Sequence, residues 1–195
     1  AHDEPRLYHL VPVEHSEDLY GPAPAPAPAG SLVVVTEEQL HPDEVQRLHP
    51  AEPIYYGVPR LGAAPLTWPT GPATAALVQK ALPDHGELLY LGHIIVTPLG
   101  LMSGLVTREA DTTVADLLRL SRAPRTAVLL GCEGGRSGAN DVEGLSVEQA
   151  FLLRGSTAVL ASLEKLPRAE GLEIFKRWRT TPELRDPGAP LSERL

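Results

Sequence analysis

The 195-residue sequence predicts an α/β fold with a mostly parallel central sheet, and three observations support this. The runs Leu32 to Val35, Leu88 to Leu91, Thr126 to Leu130 and Thr157 to Ala161 are apolar and lack two-residue alternation, as strands buried on both faces do. Segments with helical spacing and recognisable start and stop residues lie between them. Strand and helix in alternation build one layered sheet through right-handed crossovers.

The elements follow in order. Ala1 to Gly30 reads as a leader, because Pro22 to Ala29 is PAPAPAPA, a stiff extended spacer with no face to bury. Its His2, His9 and His15 match no metal-ligand spacing and are expected to be surface histidines. Residues 31–185 form the predicted domain and 186–195 a tail. After the strand at Leu32 come a helix over Pro42 to Leu48, a weaker strand at Ile54 to Val58 and a helix over Ala73 to Leu82. The strand at Leu88 precedes another weaker strand, Gly104 to Thr107, and a helix over Thr113 to Leu120 capped by Asp111 or Thr112. Beyond the strand at Thr126, a helix over Ser146 to Leu153 stops at Gly155, the strand at Thr157 follows, and Ala169 to Arg179 is the last helix.

Composition narrows function. A single cysteine, Cys132, rules out an intramolecular disulfide, a four-cysteine zinc site and a CxxC redox motif, and suits a reducing, cytoplasmic setting. A net charge of −8 argues against a non-specific grip on nucleic acid. The six basic residues between Glu164 and Arg185 stand beside four acidic ones and read as a solvated helix face. No stretch approaches the roughly 18 apolar residues of a membrane span, and no signal-peptide h-region follows Ala1 to Pro5.

Chemistry concentrates at two strand ends, where α/β folds place their sites. Thr126 to Leu130 runs into Gly131, Cys132, Glu133, Gly134, Gly135, Arg136, Ser137 and Gly138, so the cysteine stands where a buried strand meets a glycine-rich turn. Backbone N–H groups in such a turn can converge on an anion or a developing oxyanion. Leu88 to Gly92 ends at His93, and a histidine at a neighbouring strand end can convert a thiol to thiolate. Taken singly, Cys132 and His93 each read more readily as packing residues; their matching strand-end positions and the glycines around the cysteine bring a dyad level with that reading. His85 is a rival base, but it precedes its strand and belongs at the opposite edge of the sheet. The Gly131 to Gly138 loop fits neither GxGxxG nor GxxxxGK[ST] and lacks a lysine for a phosphate.

The stretch Ala127 to Leu163 resembles the core of the CHAT domain, a caspase-like cysteine peptidase family. The resemblance rests on Gly131-Cys132-Glu133-Gly134-Gly135, on Gly144-Leu145, on Ala150-Phe151-Leu152 with Gly155, and on Ser162-Leu163. Upstream, Leu88 to His93 is similar to the strand ending in the family's histidine, Ser103-Gly104-Leu105 to the strand start after it, and Thr113 to Leu120 to the following helix.

The resemblance implies a three-layer α/β/α caspase-like sandwich and peptide-bond hydrolysis through a thioester, with Cys132 as nucleophile and His93 as general base. Backbone N–H groups around Gly131, Cys132, Glu133, Gly134 and Ile94 would hold the oxyanion. Where the family's histidine is commonly followed by glycine, this chain has Ile94, which keeps the N–H but adds a side chain. Glu133, and Asp141 and Glu143 as substrate-binding residues, would favour a basic residue before the scissile bond, and Asn140 is a candidate orienter of the histidine. No metal or organic cofactor is expected. The partners implied are a peptide or protein substrate and a regulatory protein that orders Gly134 to Gly144, with neither nucleic acid nor membrane. The alternative is a catalytically inactive caspase-like domain acting as an interaction module.

Overall fold

A computed structural model describes residues 28–36, 54–56, 73–131, 145–162 and 166–181. The predicted helix over Pro42 to Leu48, the leader up to residue 27 and the tail 186–195 lie outside the described residues. Five parallel strands form the main sheet: β1 (Ser31–Val35), β2 (Ile54–Tyr56), β3 (Glu87–Leu91), β7 (Thr126–Leu130) and β8 (Ala158–Ala161), in the order β2-β1-β3-β7-β8. β1 and β3 are buried along their whole length, which explains why their sequences show no alternation.

The two faces of the sheet carry separate cores. On one face Leu32, Val34, Leu88, Tyr90, Ala127, Leu129, Val159 and Ala161 meet three helices: α1 (Ala75–Ala81), α2 (Val114–Leu117) and α3 (Val147–Leu153). On the other, Val33, Val35, Leu89, Leu91, Val128, Leu130 and Leu160 meet Phe175 and Trp178 of α4 (Arg168–Thr180). The sheet is thus sandwiched between helical layers. No helix among the described residues is long and apolar enough to cross a membrane.

Local chemistry sets the helix ends. Thr74 caps α1 by accepting from the Leu77 N–H, and Pro83, which lacks an N–H, turns the chain into a 3-10 turn over Leu82–Asp84. α3 opens with a reciprocal Ser146/Gln149 capping box and closes at Gly155, whose φ of +95° is the left-handed conformation that favours glycine. α2 departs from expectation at both ends. Its cap is Thr113, not Asp111 or Thr112, because the chain stays extended through Thr113 and the Thr113 hydroxyl is three residues from Asp116, with which it forms a capping box. The helix stops at Leu117, short of Leu120, because Arg119 and Leu120 donate to carbonyls only three residues back, tightening the last turn.

Gly104 to Thr107, expected as a strand, is shorter and lies in a second sheet. β5 (Gly104–Leu105) pairs antiparallel with β4 (Ile94–Ile95) on one side and β6 (Thr112–Thr113) on the other. β4 and β6 were not anticipated, since two residues are too few to show a period.

Candidate active site

β3 and β7 are adjacent and parallel, with Leu91 opposite Leu130, so their carboxyl ends leave the sheet side by side. The ladder runs one step further, where the Gly92 N–H donates to the Leu130 carbonyl at 3.3 Å. The chain after β3 then turns through His93 into β4, and the chain after β7 continues to Gly131. These two segments touch. A Cβ on Gly131 would lie 2.7 Å from the Gly92 carbonyl oxygen and 2.8 Å from Ile94 Cγ1, so only glycine fits there without movement.

The turn at His93 is held from below. Its carbonyl accepts from the Val106 N–H at 2.9 Å and from the Tyr90 hydroxyl at 2.5 Å. Tyr90 is fully buried, and its oxygen also lies 3.0 Å from the Val106 carbonyl and 3.1 Å from Thr36 Oγ1. A phenol has one proton to give, so Thr36 donates to Tyr90 and Tyr90 to the two carbonyls. Gly92 closes over this pair: a Cβ there would sit 1.9 Å from Thr36 Oγ1. The His93 side chain itself is exposed.

Ile94 bears on the oxyanion expectation. The Val106-to-His93 bond makes those residues a hydrogen-bonded antiparallel pair, so in the alternating ladder Ile94 and Leu105 form the next, non-bonded pair. The Ile94 N–H therefore points away from β5. The side chain goes the other way, into the core, at 8% exposure. Isoleucine in place of glycine thus leaves the outward backbone donor in position.

His85 lies before β3, its Nδ1 at 2.9 Å from the Ala81 carbonyl, eight residues and roughly 25 Å of extended chain from His93. It belongs to the opposite edge of the sheet from Gly131, as expected. α3 begins at the carboxyl edge and runs back, since the Arg154 carbonyl at its far end accepts from Ala123, just before β7. Glu148, in its first turn, is 8% exposed, and burial pushes its carboxyl above the ordinary carboxylate range.

Of the anticipated site residues, His93, Ile94 and Gly131 are brought together. Cys132, Glu133, Gly134, Asn140, Asp141 and Glu143 lie outside the described residues. Tyr90 and Thr36 were missed as supports of the His93 turn. The available signal was a lone tyrosine in the strand Leu88-Leu89-Tyr90-Leu91, whose hydroxyl needs a partner once buried. No protein-family model matches the chain, and no curated protein is similar to it in sequence.

Proposed function

We propose that the chain is a cysteine endopeptidase with a CHAT-type, caspase-like architecture, in which Cys132 is the nucleophile and His93 its general base. The observation that carries the reading is the close approach of Gly131 to the residues on either side of His93, the Gly92 carbonyl and the Ile94 side chain. Covalent geometry sets the Cα of residue 132 about 3.8 Å from that of Gly131, so the thiol and the imidazole belong to neighbouring segments. The strand order, with helices on both faces, is compatible with the caspase-like sandwich that the Cys132 block implies.

In this reading the thiol proton passes to His93 and the sulfur forms a bond to the substrate's carbonyl carbon. The Ile94 N–H and those after Gly131 stabilise the resulting oxyanion. Collapse breaks the carbon–nitrogen bond as His93 returns its proton to the leaving amine. Water, deprotonated by His93, then attacks the thioester, releases the acid and restores the thiol. Glu133, Asp141 and Glu143 supply the negative charge that would select a basic residue before the cleaved bond.

The test is hydrolysis of fluorogenic peptide amides ending in Arg or Lys, compared with other termini. Cys132→Ala should abolish turnover and His93→Ala should reduce it by at least about 100-fold, while His85→Ala stays active. Loss in His85→Ala with His93→Ala active would reassign the base. An inactive full-length chain whose thiol is unactivated would leave the interaction-module reading in its place.

A further inference from the structure

We infer that the amino edge of the main sheet is a docking surface for the chain's own acidic leader, with Arg122, Arg125 and Arg154 as its cationic contacts and the cluster Glu14, Glu17 and Asp18 as its occupant. This edge is opposite the one bearing His93, so the inference is independent of the peptidase reading.

Hydrogen bonds gather the three arginines on one strap, residues 120–125, which leads into β7. The Arg122 Nε–H donates to the Pro83 carbonyl at 2.7 Å, and the Ala123 N–H to the Arg154 carbonyl at 3.0 Å. The Arg154 guanidinium returns to the strap, donating to the carbonyls of Leu120 and Ser121, and the Thr157 N–H donates to the Arg125 carbonyl at 2.8 Å. The carbonyls met by Arg122 and Arg154 satisfy N–H groups and leave the positive charge uncompensated. Among the described residues no carboxylate forms an ion pair with Arg122, Arg125 or Arg154: Asp116 pairs with Arg119, Glu173 with Lys176, and Asp84, exposed beside Pro83, with none of the three. Arg125 is exposed and the other two are half-buried. In a chain of net charge −8 the strap is a local reversal of sign.

The leader joins the domain at this same edge. Pro28 lies against Gly86, where an added Cβ would come 2.2 Å from the Pro28 carbonyl oxygen, and the Gly86 carbonyl accepts from the Thr126 N–H, next to Arg125, at 3.1 Å. Residues 1–27 hold Asp3, Glu4, Glu14, Glu17 and Asp18 against Arg6 alone. Ten residues lead from Asp18 to Pro28, a reach of about 31 Å in the polyproline geometry that PAPAPAPA favours. The edge from β1 to β8 measures three strand spacings, about 14 Å, so the acidic cluster can reach the strap. Each exposed ion pair is weak, but a tether holds the partners at an effective concentration on the order of millimolar. The leader is favoured over a separate acidic protein because it is covalently delivered to the edge that needs the charge.

The test is a distance measurement on the full-length chain. Nitroxide labels are placed at Ser16→Cys, inside the acidic cluster, and Ser121→Cys, on the strap, with Cys132→Ser removing the native thiol, and the separation is read by pulsed electron–electron double resonance. At low salt we expect a main population below about 25 Å, because the labels flank charges that pair. It should disperse to longer distances in about 1 M NaCl, where the screening length is about 3 Å. The same dispersal should follow Glu14→Gln, Glu17→Gln and Asp18→Asn together, and, in part, Arg125→Gln at its exposed position. Thermal melting of each variant identifies any loss of fold, and the leader substitutions test the pairing without touching the strap. A broad distribution at low salt, or a short distance that neither salt nor the leader substitutions alter, overturns the inference. So does a short distance that disappears on dilution with excess unlabelled chain, which would mark contact between two copies.

Discussion

Gly131 lies so close to Gly92 that a single added carbon would come within 2.7 Å of the Gly92 carbonyl oxygen. That contact joins the end of β7 to the turn carrying His93, and it leaves no room for adjustment because one partner is backbone.

Gly131→Ala should therefore damage both fold and site. Overpacking of this kind costs about 1–3 kcal/mol, which urea unfolding would register. Turnover should fall by more than stability alone explains, because the strand end that bears Cys132 must shift.

Tyr90→Phe removes the hydroxyl that holds the His93 carbonyl, leaving the carbonyls of His93 and Val106 and the Thr36 hydroxyl short of a partner. We expect a loss of about 1–3 kcal/mol. Because Tyr90 positions His93 through backbone alone, the pH dependence of Cys132 reactivity should move toward that of an ordinary thiol.

The other end of the sheet has its own buried polar cluster. Glu87 accepts from Ser31 Oγ at 2.5 Å and from Trp178 Nε1 at 2.8 Å, tying α4 to β1 and β3. Glu87→Ala should cost about 2–4 kcal/mol, since it strands a buried indole N–H. Tryptophan fluorescence should change with it. Peptidase kinetics should not, because this edge is opposite the one bearing His93.

Glu148 predicts a pH effect whose sign is fixed by its cause. Burial raises its folded-state pKa above the ordinary 4.5, so the native state holds the proton more firmly than the unfolded chain. Stability is then lost as pH rises from 4.5 through the raised value. Glu148→Gln should melt higher than the parent at pH 7, and the difference should close below pH 4.5. An advantage that persisted unchanged at acid pH would point to packing instead.

Legibility in the sequence followed length. Ser31–Val35, Glu87–Leu91, Thr126–Leu130 and Ala158–Ala161 fall within a residue of expectation, because strands buried on both faces are continuously apolar. β4 and β6 went unread because strand character there comes from tertiary pairing alone. The cap at Thr113 was misplaced by one or two residues because three consecutive residues, Asp111, Thr112 and Thr113, can all cap, and only the pairing of β6 decides among them. At the candidate site, His93 and Gly131 were legible as strand-end residues. Tyr90 and Thr36 were not, because a clamp between residues 54 positions apart has no local signature.

The state of one thiol decides most directly whether Cys132 and His93 form a dyad. Cys132 is the chain's only cysteine, so its alkylation by iodoacetamide can be followed across pH without interference. The dyad predicts rapid alkylation well below the ordinary thiol pKa of about 8.5, with the profile returning to that value in His93→Ala and unchanged in His85→Ala. A wild-type profile that matches free cysteine and does not respond to His93→Ala would contradict it.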